Sequence, residues 1–232
     1  MIGVCIVVMA LGAYSAWRLS KSRSFQLFGG MVDHVETLQP TVALTFDDGP
    51  VPGYTEEVLA ILHETGVRAT FLVVGQSAEQ NTDQAQQIVA EGHELGNHSY
   101  SHQHMIGRSY AFVRDEIERT DELIRAAGYR GDIHFRPPYG KRLIILPYYL
   151  WVTGRSTLYF DVEPESYAEV ARDADHIVEH MLDNASPGSI ILLHVMARSR
   201  STTREALPRI IDGLLAQGYT FVTVSELLAL DQ

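Results

Sequence analysis

Two carboxylates stand side by side at Asp47 and Asp48, directly after the apolar run TVALTF (41–46). On a regular strand they would face opposite sides, but Gly49-Pro50 ends the strand, so both can turn toward one pocket. Adjacent carboxylates repel, and each is costly to bury as an ion unless something positive sits between or beside them. A divalent cation supplies that charge; a turn with an aspartate cap fits the same residues. His98 and His102 lie four apart, a spacing that puts two imidazoles on one face of a helical turn. With one carboxylate of the Asp pair they make three protein ligands, leaving the open position that catalytic zinc keeps for water.

Three more side chains extend the chemistry. Arg136 ends the strand-like DIHF and is placed to hold a carboxylate in a fixed fork. Pro137 and Pro138 stiffen the loop that follows, so backbone N–H groups beyond them are held toward a developing oxyanion; a plain rigid turn is the simpler account of these residues alone. His194 ends the very apolar SIILLH (189–194), either as a core histidine bonded to a carbonyl or as a general acid with a pKa near neutrality. His93 and His104 read as structural or exposed, and His34, His63, His134, His176 and His180 lie in helical or connecting sequence without evident partners.

The elements that must position these groups alternate. TVALTF (41–46), ATFLVVG (69–75), HELGNHS (93–99), DIHFRPP (132–138), STLYFDVE (156–163), SIILLHV (189–195) and TFVTVS (220–225) have strand character. Helical spacing covers 54–66, 82–92, 109–128, a stretch near 168–185 and 203–217, with Gly66 and Gly128 as stops. This βαβα order implies a mostly parallel sheet with helices outside it. About seven strands without a Gly-rich nucleotide loop favour a barrel over an open dinucleotide-binding sheet. Chemistry in such barrels gathers where strands run out into loops, and the polar groups above sit there.

A chain of 232 residues with ordinary globular composition forms one sizeable core. Its net charge of -11 excludes a nucleic-acid binder, which shows a basic face or stripe. Cys5 is the only cysteine, so any metal site is built from histidines and carboxylates. Residues Ile2 to Trp17 carry no charge and are followed by Arg18, Lys21 and Arg23. The run falls slightly short of the roughly 20 apolar residues of a spanning helix and lacks the basic start of a secretory signal. We read 1–23 as a hydrophobic helix that anchors the chain to a membrane or remains as an uncleaved signal-like helix, 24–40 as a connector, and 41–232 as the catalytic domain. The positive-inside rule taken literally would keep that domain cytoplasmic; a few upstream residues would reverse the count, and the domain is expected outside the cytoplasm, at the cell envelope.

TFDDGP, HSYSH, RPPYG and LLH, in this order, resemble the polysaccharide deacetylases of carbohydrate esterase family 4, the NodB-homology domain, over roughly residues 40 to 225. The resemblance implies a distorted (β/α)7-type barrel of mostly parallel strands, here preceded by the N-terminal hydrophobic helix. It implies removal of N-acetyl groups from peptidoglycan or chitin-type oligomers, and, in some members, O-acetyl groups from xylan. It assigns Asp47 as catalytic base, Asp48, His98 and His102 as metal ligands, Arg136 as the residue orienting the base, the Tyr139 backbone N–H as oxyanion donor and His194 as general acid. It places Leu192 in the pocket for the acetyl methyl, with Tyr167 and Pro138 as further walls. The implied metal is divalent, zinc foremost, with cobalt or nickel as alternatives. One motif departs. Ser166-Tyr167 stands where the family has Asp-Trp, so the acidic partner of His194 falls to Asp161, Glu163 or Glu165. Competing readings are a non-catalytic glycan-binding homologue and a C–N hydrolase of a small cyclic amide.

Overall fold

The structure, a computed structural model, describes residues 2–230; the side chains of residues 2–8 and 13 lie outside that description. The chain runs α1 (Ile2–Ser20), β1 (Met31–Val32), β2 (Thr41–Asp47), α2 (Tyr54–Thr65), β3 (Thr70–Val73), α3 (Gly75–Gln80), α4 (Thr82–Ala90), β4 (Glu94–Asn97), α5 (Tyr110–Ala126), α6 (Ile145–Val152), β5 (Thr157–Leu158), α7 (Ala174–Asn184), β6 (Ile190–His194), α8 (Ser201–Ala216), β7 (Thr220–Val222) and α9 (Val224–Leu228). Every strand pair is parallel. The order is β4-β3-β2-β6, with β7 against the first half of β2.

All seven residues of β2 are buried, as an apolar run covered on both faces must be in a parallel sheet. The sheet is not flat. Asn97 bridges Phe135, Phe135 bridges Thr157, and Val162 bridges Ile191, so the structure curls back toward β6 through single bridges. The strands expected over 132–138 and 156–163 therefore shrink to one bridge residue and to Thr157–Leu158. Pro137 and Pro138 have no N–H to extend a ladder. Beyond β5, the Asp161 carboxylate takes the Ile190 N–H at 2.9 Å and interrupts the next ladder. The strand expected over 220–225 stops at Val222, because Thr223 and Glu226 form a capping box that starts α9. Elsewhere the helix signals act as read: Gly66 closes α2 in the left-handed conformation, and Ser109 caps α5 by accepting the Phe112 N–H.

Among the described residues no helix is long and apolar enough to cross a membrane. The anchor expected over 1–23 thus finds no support there, and it falls largely on side chains outside the description. The 24–40 segment is more than a connector. Its β1 pairs with β5, and buried Arg142 ties it down, donating from Nε to Gln26 Oε1 (2.9 Å), from Nη2 to the Ser22 carbonyl (2.8 Å) and from its backbone N–H to the Ser20 carbonyl (3.1 Å).

Candidate active site

The ends of β2, β4 and β6, with the loops after them, meet at a cavity of about 430 Å³, a usual size for a small-molecule site. Asp47, Asp48, His98, His102, Arg136, Tyr139, Leu192 and His194 all line it. The two adjacent aspartates part company there. Asp47 stays on the strand and is buried, with Oδ1 accepting from Arg136 Nη1 at 2.7 Å and Oδ2 3.6 Å from His98 Nε2. Asp48 leaves the strand at φ 70°, and its Oδ1 lies 3.4 Å from His102 Nε2. One ligand atom each from Asp48, His98 and His102 lies within 4.8 Å of the others, close enough to converge on one cation.

The imidazoles are not on a helical turn. Residues 98–102 form an irregular loop with Ser99 at φ 67° and His102 at φ 53°. Asn97 Oδ1 accepts the Ser99 N–H (2.8 Å), Ser99 Oγ accepts the His102 N–H (3.1 Å), and buried Glu116 takes both the N–H and the hydroxyl of Ser101. These bonds hold a loop that the four-residue spacing cannot distinguish from a helix. His98 Nδ1 sits 2.8 Å from the Arg136 carbonyl, so it carries the proton and donates, leaving Nε2 bare for a metal. Burial, then the neighbouring His98, lowers the His102 pKa and favours the neutral form that coordinates. The donor set therefore fits a divalent ion.

Arg136 is fully buried and ties β2 to the segment after β5: it donates to Asp47, to Thr45 Oγ1 (2.8 Å) and to the Tyr159 carbonyl (2.9 Å). Burial works to raise the Asp47 pKa, but Arg136, His98 and His194 outweigh it and hold the carboxyl below its ordinary value. Tyr139 sits at φ 58°, and among the described residues its N–H has no acceptor. Its ring packs on His102 and His104, at centroid distances of 4.8 and 4.1 Å. The four described non-glycine residues with positive φ are Asp48, Ser99, His102 and Tyr139. All lie in this cavity or the loop that forms it. Backbone strain of this kind persists where the surroundings over-determine it, and it gathers at functional sites.

Of the three acids proposed for His194, Glu165 is the one that meets it. Its Oε2 lies 3.2 Å from His194 Nδ1, and its Oε1 accepts the His194 N–H at 2.9 Å. Asp161 instead pairs with His34 at 2.9 Å, and Glu163 faces Arg23 at 4.0 Å. Burial disfavours the charged imidazole, yet the Glu165 hydrogen bond and the charges of Asp47, Glu165 and Asp48 push its pKa up to about 9. The expected walls are only partly present. Leu192 lines the cavity, but Pro137 rather than Pro138 does, and Tyr167 is turned outward against His180 at 5.1 Å. Phe160, buried and stacked on Tyr159, supplies the aromatic wall instead.

Glu163, one of those three acids, lines the cavity without meeting His194, and Arg23 and Arg200 also line it, with no signal in the sequence that marks them as site residues. His93 is structural, as read: it accepts the Ala69 N–H, and burial pushes its pKa down to about 4. His34, His134 and His176 do have partners, Asp161, Glu94 and Asp173.

The family model for polysaccharide deacetylase matches residues 34–148. A peptidoglycan-N-acetylglucosamine deacetylase of Bacillus cereus is 35% identical over 193 residues, covering 81% of this chain and 87% of that protein. A bifunctional xylanase/deacetylase of Pseudobutyrivibrio xylanivorans is 34% identical over 97% of this chain, which spans only 35% of that longer protein. A crystal structure of a peptidoglycan N-acetylglucosamine deacetylase bound to an N-hydroxybenzamide superposes with a TM-score of 0.79 at 30% identity, covering 85% of this chain and 92% of the other.

Proposed function

Since the chain belongs to the polysaccharide deacetylase family, carbohydrate esterase family 4, we propose that it is a metal-dependent hydrolase. In this reading it removes N-acetyl groups from an acetylated amino-sugar glycan, peptidoglycan or a chitin-type oligomer, and releases acetate. The observation that carries this is the division of labour between neighbouring aspartates: Asp47 is held by Arg136, while Asp48 joins His98 and His102.

Asp48, His98 and His102 would hold the metal, and two imidazoles with one carboxylate would suit zinc. When bound, the ion supplies Lewis acidity toward the acetyl carbonyl and toward water. Asp47, kept ionised by Arg136, takes the proton of the attacking water on Oδ2, the oxygen that Arg136 leaves free. The unpaired Tyr139 N–H donates to the oxygen that becomes negative at the carbonyl carbon. His194, with Nδ1 occupied by Glu165, delivers a proton from Nε2 to the departing nitrogen as the C–N bond breaks. The products are acetate and a free amino sugar. Leu192 and Phe160 exclude water around the acetyl group.

The proposed location is the cell envelope, where such glycans lie. The finer reading of a membrane tether rests on Met9, Leu11, Tyr14 and Trp17, apolar and exposed along α1; recovery of the full chain in the soluble fraction of lysed cells would end it. Acetate release from peptidoglycan, chitin oligomers and acetylated xylan, with and without chelator, tests the function itself. Release from an amino-sugar polymer that chelator abolishes is the expected outcome. Release from xylan alone would move the reading to an ester, and metal binding without acetate from any polymer would leave a glycan-binding protein.

A further inference from the structure

Away from the cavity, α6 is a surface helix without a charged side chain. Its inner side is buried, with Leu146, Tyr149 and Leu150 packed into the cluster that includes Val113 and Ile117 of α5. On its outer side Ile144, Tyr148, Trp151 and Val152 recur at the spacing of one helix face, and each is between 39% and 55% exposed. The apolar surface does not end with the helix. Phe28 packs against Tyr148 and Trp151 at ring-centroid distances of 5.5 and 6.1 Å, and Tyr110 lies 6.4 Å from Tyr148. Leu27, next to Phe28 in the chain, is exposed as well. A helix that is apolar all round is normally covered, and a contiguous apolar area of this kind marks an interaction surface.

The segments that build this face carry no acid of their own. Residues 1–32 and 133–160 contain none of the chain's 29 aspartates and glutamates but seven of its 18 lysines and arginines. The carboxylates that reach the face from α5 are engaged, Asp121 with Arg155 and Glu118 with the Tyr149 hydroxyl at 3.2 Å. Lys21 and Lys141 meet no carboxylate among the described residues; their ammonium groups lie 3.9 Å from the Trp17 ring centroid and 5.8 Å from that of Tyr139. A chain of net charge -11 is repelled by an anionic surface except where its acids are missing. Tryptophan and tyrosine settle at a lipid–water boundary, ring inward and polar edge outward. A neutral glycan would use the rings and gain nothing from the missing acids. The end of α1 meets the same edge, since Arg142, two residues before Ile144, takes the Ser20 and Ser22 carbonyls.

We infer that the folded domain has a membrane-docking face of its own, centred on Tyr148 and Trp151, which settles on a bilayer rich in anionic lipid. The contact is peripheral and reversible. It is made by α6 and the Leu27-Phe28 segment, it stands apart from a tether along α1, and it does not depend on the deacetylase reading. Only residues 141–144 separate α6 from Tyr139 and Gly140 on the wall of the cavity, so a docked domain holds the cavity close to the lipid surface.

The chain's two tryptophans allow a direct test on the full-length protein, because Trp17 lies on α1 and Trp151 on the face itself. In W17F the emission of Trp151 alone is followed as vesicles are added, made of phosphatidylcholine with or without phosphatidylglycerol. A second set carries brominated acyl chains. With phosphatidylglycerol present the emission is expected to shift to the blue and to be quenched by bromine. Phosphatidylcholine alone should leave it unchanged, and added salt should weaken the shift. W151S should weaken vesicle binding about tenfold through lost apolar area, and K141Q about fivefold through one charge near the surface. Thermal unfolding of both variants checks the fold, and acetate release from a soluble chitin oligomer should stay unchanged in W151S. A W17F protein that binds no vesicle, or binds with the Trp151 emission unmoved, overturns the inference. So does a shift caused by chitin oligomers and not by vesicles, which makes the face a glycan platform, or a dimer that W151S dissolves. Acetate release is read separately, so each of these outcomes leaves the deacetylase reading standing.

Discussion

Two carboxylates are buried at opposite ends of the same parallel strands, Glu94 where β4 begins and Asp47 where β2 ends. Glu94 is satisfied from all sides. Its Oε2 accepts from Thr70 Oγ1 (2.9 Å) and the Ser225 N–H (3.1 Å), its Oε1 accepts from Ser225 Oγ (2.7 Å), and His134 lies 3.4 Å away. Asp47 has a single short partner, Arg136, while the Arg136 Nε has none and the nearby Tyr139 N–H is equally free. A buried charge by itself therefore says little about function. What separates the two ends is unspent hydrogen-bonding capacity, absent around Glu94 and concentrated around Asp47.

The comparison breaks first at the metal ligands. His98→Ala or Asp48→Ala is expected to lose bound metal and to cut acetate release by on the order of a thousandfold or more, because several kcal/mol of charge stabilisation depend on the ion. Elemental analysis beside turnover checks this; a variant that keeps both removes the residue from the site. Asp47→Asn comes next. The amide keeps the shape and an acceptor for Arg136 but no longer takes a proton, so turnover should fall by roughly 10²–10⁴-fold with metal retained. Full activity in that variant would cancel the role of base.

Glu165→Gln sharpens the catalytic end without emptying it. In the metal-free protein His194 has its folded pKa raised from the ordinary 6.5 to about 9, so its charge stabilises the fold. That stabilisation is fully present below 6.5 and is lost as pH rises through about 9. With Gln at 165, chelator-treated protein should lose part of that stability, most of it below pH 6.5, since Asp47 and Asp48 still raise the His194 pKa, and the high-pH limb of acetate release should move downward. An unchanged pH dependence in both measurements would separate Glu165 from His194.

How much of this was legible depended on how local the cause was. The apolar runs of β2, β3 and β6 and the Gly66 stop are local, and they folded as read. Asp47, Asp48, His98 and His102 were identifiable by type and spacing, yet their geometry was not, since the loop of 98–102 is shaped by Glu116 on α5 and by Asn97. Phe160 replaced Tyr167 as the aromatic wall because Pro164 to Tyr167 turns, with the Tyr167 N–H on the Pro164 carbonyl, and sends the later ring outward. Arg142 was the least visible. It reads as one more arginine after RPPYG, and only the folded chain shows residues 20–26 wrapped onto it.

The opposite end of the strands yields the smallest effect on chemistry and the cleanest contrast. Glu94→Gln keeps the volume but replaces one acceptor oxygen with an NH2 group, which faces the hydroxyls of Thr70 and Ser225 and the His134 ring. These hydroxyls turn to accept, whereas the Ser225 backbone N–H cannot, so one or two buried bonds weaken in either amide orientation. A loss of about 1–3 kcal/mol in unfolding free energy is expected, the cost of leaving a buried polar group short of partners. Burial and then the pull of Glu94 act in opposite senses on His134, whose pKa is lowered. Without the carboxylate it drops further, and His134 becomes protonated only at lower pH. Acetate release per folded molecule should not change, because Glu94 lies at the other end of the sheet from the cavity. Denaturant unfolding run beside turnover decides the point. If Glu94→Gln reduced kcat as strongly as Glu165→Gln while the fold stayed intact, unspent hydrogen-bonding capacity would no longer be what marks the working end of this sheet.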